Sequence, residues 1–131
     1  MEQLIVTADV SRIVALLDPF DSPRWLGSRP FHKAEVRAAA VAGDHHAVPI
    51  GAQDTVPMRQ HVARIAWLTG EWLNDGSDAP QVEILQDGEL VLNDGWHRLC
   101  AAAVRGDQLI HLDVSGFIDE APDLLGVPVA G

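Results

Sequence analysis

The chain has 131 residues, 47% of them hydrophobic and 21% charged, which is one domain's worth of ordinary globular sequence and too apolar for disorder. Nine basic against nineteen acidic residues give a net charge of −10, which excludes a whole-surface nucleic-acid footprint but leaves room for a local anion site. A single cysteine, Cys100, excludes an internal disulfide framework.

No stretch approaches the length of a membrane span, and Met1–Val6 lacks a basic signal-peptide start. The expected compartment is the cytoplasm, with no membrane partner. The expected organisation is one domain over 1–131. Its parts are a helical N-terminal extension (1–47), a core (48–114) and a C-terminal tail (115–131).

In chain order, Gln3–Val6 reads as a short strand. Asp9 then caps a helix to Leu17, with Val10, Ile13, Val14 and Leu17 on one face. Pro19 stops it. Residues 19–30 carry loop signals, and Trp25 and Leu26 pin that loop to the body. His32–Ala42 reads as a helix with Gly43 as its C-terminal cap. Val48-Pro49-Ile50 suits a strand start or a sheet edge.

Thr55 and Pro57 signal the start of a long helix carrying Met58, Val62, Ile65, Thr69 and Trp72 at helical spacing. Gln81–Leu85 and Glu89–Leu92 read as two strands of a hairpin, with Asp87-Gly88 suiting a type I′ turn. Asn93-Asp94-Gly95 turns the chain into a helix, Trp96–Arg105, ended by Gly106. Leu109–Val114 is a further strand, with Leu109 and Leu112 in its apolar set. The fold class is therefore α/β (α+β), a small mixed sheet flanked by helices.

The chemistry concentrates at Asp94-Gly95-Trp96-His97-Arg98. A strand, a glycine turn and a helix start leave free backbone N–H groups at the positive end of a helix dipole. His97 and Arg98 add donors, and an arginine grips phosphate with two parallel hydrogen bonds. The rest of that helix is apolar nearly all round, so it is expected to be buried and to hold the turn rigid. Strand–turn–helix with Asp-Gly is also common structural punctuation, which is the alternative at this point.

The run from Leu92 to Gly106, with its Asp-Gly-x-His-Arg turn followed by an alanine-rich helix, resembles the signature of the ParB/sulfiredoxin-like superfamily. Val48–Ile50 resembles that family's opening strand, Pro57–Leu73 its long helix, and Pro80–Leu85 the strand before the motif. The resemblance spans residues 48–114. It implies a nucleotide-binding protein that takes a nucleoside triphosphate (ATP or CTP) with Mg²⁺. It also implies NTPase or nuclease chemistry and a role in plasmid or phage DNA maintenance or conflict.

By the resemblance, Gly95, His97 and Arg98 are the phosphate-contacting residues. Asp94 falls on the acidic position before the glycine, where it caps the helix or helps hold a metal. Apart from the resemblance, Mg²⁺ held mainly by a nucleotide's phosphates needs one carboxylate, with Asp94, Glu71 and Glu83 as unranked candidates. Arg59 loosely matches a Pro-Arg position of the family that would reach the same phosphate, the alternative being a solvated surface arginine. Trp96 either closes over a sugar or base or simply packs. Trp96 also occupies the place of sulfiredoxin's catalytic cysteine, and Cys100 lies one turn further in, so sulfinic-acid reduction is not expected. Centromere-type direct DNA binding is not expected from so acidic a chain. The competing expectation is a non-enzymatic acidic module that binds a basic protein partner through Trp25.

Overall fold

The structure, a computed structural model, describes residues 3–51 and 53–127. Strand β1 (Gln3–Asp9) leads into helix α1 (Val10–Leu17), and a long loop leads to α2 (Lys33–Ala42). Helix α3 (Met58–Glu71) precedes a hairpin of β2 (Gln81–Ile84) and β3 (Leu90–Asp94). Helix α4 (Trp96–Arg105) and β4 (Leu109–Gly116) follow, then a 3₁₀ turn (Ile118–Glu120) and α5 (Ala121–Leu125). Among the described residues no helix is long and apolar enough to cross a membrane.

The sheet is four-stranded and mixed, in the order β1-β4-β2-β3. β1 runs antiparallel to β4, β4 parallel to β2, and β2 antiparallel to β3. Each strand alternates in burial, as a sheet covered on one face requires. Val6, Ala8, Val82, Ile84, Leu90, Leu92, Ile110, Leu112 and Val114 are buried. Leu109, expected with the apolar set, is 50% exposed. It is three positions from Leu112, and a period of two puts residues three apart on opposite faces.

Helix α4 is the centre of the core. Leu99 through Val104 are all buried, because α4 packs on α1, α2 and α3 and lies over the sheet. Glycines in the left-handed conformation bound it on both sides, Gly95 and Gly106, and its limits are those the sequence predicts. The core also draws on residues before position 48. β1 pairs with β4 along its whole length, and Phe31 and Val36 are fully enclosed.

Three local expectations are corrected. Val48–Ile50 forms no strand and lies in the loop between α2 and α3. Pro49 has no N–H to give a ladder, which disfavours a strand there. The β2–β3 turn is not type I′, which needs positive φ at both central residues. Only Gly88 has it (φ 84°), following a Leu85-to-Gly88 turn closed by a 2.9 Å bond. That is a type I turn with a left-handed glycine after it. Asp9 stands at the N-cap of α1 but makes no side-chain capping bond.

One side chain completes the sheet. β2 covers β4 only from Asp113 onward, leaving its first half open on that side. Asn74 fills the gap: its Nδ2 donates to Leu109 O at 2.7 Å and its Oδ1 accepts from His111 N–H at 3.2 Å. Asn74→Ala is expected to destabilise the fold by about 1–3 kcal/mol, from two hydrogen bonds to the β4 backbone at about 0.5–1.5 kcal/mol each. Urea unfolding checks it, and a change within about 0.5 kcal/mol, the range of neutral surface substitutions, would contradict it.

Candidate functional site

At the carboxyl end of β3 the chain turns at Gly95 (φ 109°, ψ 23°) into α4. A side chain there would meet Pro80, whose Cβ lies 2.6 Å from the position a Cβ would take. Glycine is required both by the backbone angle and by that contact. The first helical bond of α4 runs from Leu99 N–H to Gly95 O at 2.9 Å. The amides of Trp96, His97 and Arg98 precede it and have no partner within the helix.

Beside this turn is a cavity of about 240 Å³ lined by Arg64, Asp78, Asp94, Gly95, His97 and Arg98, with Pro49, Ile50 and Leu68 as its apolar wall. Arg98 is mostly buried. Its guanidinium donates to Asp78 Oδ1 at 2.5 Å, Asp78 O at 3.0 Å and Asp94 Oδ2 at 3.2 Å. The two carboxylates are themselves largely exposed, 67% and 69%. Arg64 donates to the carbonyl of Ala47 at 2.6 Å and stacks on Trp67, 4.9 Å from its ring centroid. It thereby ties the α2–α3 loop to α3. Burial, with the charge of Arg98 behind it, pulls the Arg64 pKa down.

Under the turn lies a ring cluster. His97 Nε2 and His61 Nδ1 are 2.9 Å apart, and Trp25 stacks on both rings at 4.4 Å between centroids. Burial is the main reason that His97 is pushed down to about 3, reinforced by His61, Arg64, Arg98 and His46. His61 is shifted the same way, first by burial and then by His46. Both imidazoles are therefore neutral at pH 7. Cys100 is fully enclosed, and burial drives its thiol pKa up, so it is no nucleophile.

The structure brings Asp94, Gly95, His97 and Arg98 together and sends the other named residues elsewhere. Arg59 is exposed and does not line the cavity; Arg64 does. Trp96 is half-buried and points to a different groove, beside Leu17, Arg24 and Leu90. It packs rather than stacking over this cavity. Asp94 does not cap α4; it pairs with Arg98 one turn on. Trp25 is 7% exposed, so it anchors its own loop and is no free docking residue, while Leu26 is exposed.

Asp78, Arg64 and His61 are the residues the sequence reading missed. His61, Arg64 and Leu68 recur at i, i+3 and i+7, one face of α3 beside the apolar stripe, and that spacing was the available signal. Among the described residues no three His, Cys, Asp or Glu side chains form a group that could hold a metal ion. Asp78 and Asp94 converge on the one guanidinium of Arg98 and are the carboxylates that line the cavity. Glu83 bonds Asn93 instead, and Glu71 is not in the lining. Comparison of the chain with protein-family models, curated proteins and solved structures finds no match in any of the three.

Proposed function

We propose that this protein binds the phosphate groups of a nucleoside triphosphate, ATP or CTP, at the Gly95 turn, and that it is a ParB/sulfiredoxin-like nucleotide-binding protein. The observation that carries the reading is one cavity lined by His97, Arg64 and Arg98 beside the N-terminus of α4, whose first amides have no partner within the helix. Donors of this kind at a helix N-terminus are what a phosphate needs.

Size narrows the ligand's pose. The cavity, about 240 Å³, lies below the roughly 300–1,000 Å³ of pockets that enclose whole small molecules. It suits the phosphates alone, with the nucleoside outside against Pro49 and Ile50. Charge narrows the cofactor. Asp78 and Asp94 offset Arg64 and Arg98, so a bare polyphosphate would face two carboxylates. Mg²⁺ carried by the phosphates would turn those carboxylates from repulsive neighbours into ligands. When bound, the ion would also supply the charge neutralisation that phosphoryl transfer requires. Binding is the activity these residues support directly, and hydrolysis would be a further property of the loaded site.

Calorimetric titration with ATP, CTP, GTP and ADP, with and without Mg²⁺, tests the reading. Saturable, Mg²⁺-strengthened binding is expected. Arg98→Ala is expected to weaken it by about 10- to 100-fold, the usual worth of a charge-assisted hydrogen bond. The two carboxylates it abandons are already in water, and circular dichroism of the variant checks that it stays folded without the Asp78 carbonyl bond. Absence of binding to every nucleotide, or Arg98→Ala binding as the wild type does, would overturn the proposal.

A further inference from the structure

We infer that His61 is a positioning residue of the phosphate site: it holds His97 in the tautomer that presents an Nδ1–H donor to the cavity. The inference rests on the phosphate reading and adds the residue that tunes it.

His61 is fully buried on α3, and His97 lines the cavity from the first turn of α4. Their rings lie within 15° of parallel, both under the Trp25 indole, so they meet edge to edge in nearly one plane. One proton occupies the 2.9 Å gap between His61 Nδ1 and His97 Nε2. With both rings neutral there are two arrangements. In the first, His61 Nδ1–H donates to His97 Nε2, and His97 carries its own proton on Nδ1. In the second, His97 Nε2–H donates, His97 Nδ1 is bare, and His61 carries its proton on Nε2.

Two observations favour the first. His61 Nε2 is buried and has no hydrogen-bond partner among the described residues. Buried N–H groups without an acceptor are rarer than bare acceptors, which disfavours the second arrangement. The second observation concerns His97. Its Nδ1 makes no hydrogen bond among the described residues and is not among the fully enclosed unpartnered atoms, and His97 is a lining residue of the cavity. An oxyanion held between Arg64 and Arg98 only accepts, so it selects the ring that donates. The groups around the pair are Arg64 on α3, Arg98 on α4, His46 on the α2–α3 loop and Asp78 before β2. None of them bonds to His61 Nε2.

The test combines histidine ring ¹⁵N spectra with titration by inorganic pyrophosphate. In the loaded wild type, His97 is expected to carry its proton on Nδ1. His61→Leu keeps an apolar body but removes the donor, and is expected to mix the His97 tautomers and weaken pyrophosphate binding about tenfold. His61→Asn, whose amide N–H can stand where Nδ1–H stood, is expected to restore both to within about threefold. His97 protonated on Nε2 in the loaded wild type would overturn the inference, as would His61→Leu binding pyrophosphate as tightly as wild type. If the wild type binds no pyrophosphate, the phosphate reading fails by itself. The free-protein spectra then decide the role of His61: loss of the Nδ1–H tautomer in His61→Leu with its return in His61→Asn supports it, and unchanged tautomers refute it.

Discussion

Gly95→Ala is expected to lower stability by about 3 kcal/mol or more and to abolish phosphate binding. Two separate penalties add. A residue with a Cβ at φ 109° is strained, at about 1–3 kcal/mol. The new Cβ would also stand 2.6 Å from Pro80 Cβ and 2.8 Å from Pro80 Cα. Pro80 is buried and opens β2, so it cannot step aside, and overpacking of this kind adds about 1–3 kcal/mol. Relieving the clash moves the corner between β3 and α4, and with it the cavity lining at Gly95, His97 and Arg98. Gly43→Ala is the control, with φ 73° and nothing within 4 Å of its Cβ, so it carries the strain alone. Urea unfolding of both variants separates the two effects. Equal losses would show that contact with Pro80 is not what demands glycine.

Stability is expected to fall as pH drops from about 7 to 5, through the buried imidazole pair. The sign follows from proton counts. His97 has its ordinary value of 6.5 in the unfolded chain and about 3 in the folded one. Between those values the unfolded state binds more protons, so acid favours unfolding. The loss approaches about 1.4 kcal/mol per pH unit well below 6.5. His61, also shifted down, acts in the same direction. Glu35, Asp75 and Asp107 have lowered carboxylate values, so their contribution is lost at still lower pH. The window from pH 7 to 5 therefore isolates the histidines. His97→Gln, neutral at every pH, is expected to at least halve the slope. A wild type equally stable at pH 7 and pH 5 would contradict the assignment, as would an unchanged slope in His97→Gln.

Where sequence reading succeeded, the cause was local. Helix α4 was legible to the residue because Gly95 and Gly106 punctuate it and no residue between them resists a helix. The hairpin was legible from two alternating runs around Asp87-Gly88. Its turn type was not, since a three-residue connection with one left-handed glycine differs from type I′ only in backbone angles. Leu109 went to the wrong face because its hydrophobicity was weighed and its register was not. Val48–Ile50 has strand composition, but Pro49 at its centre has no N–H to give a ladder, and the segment stays in the loop between α2 and α3.

The site divides the same way. Asp94, Gly95, His97 and Arg98 are neighbours in sequence, and their placement follows from one strand–turn–helix corner. Arg59 and Arg64 are both arginines on α3, and only the rotation of that helix against α4 chose Arg64 for the cavity. Asp78 reaches Arg98 across 20 residues, and His61 reaches His97 across 36. Trp25 comes from a loop whose path no local signal describes, and the structure lays it flat over both histidines. Most of the elements and the Gly95 corner were legible in the sequence, because helix periodicity, strand alternation and glycine angles act over a few residues, whereas the 3₁₀ turn and α5 lie in a segment read as a tail. The partners that neutralise, orient and cover the Gly95 corner were decided only in three dimensions, because the order of the strands and the packing of α3 on α4 set which distant side chains meet.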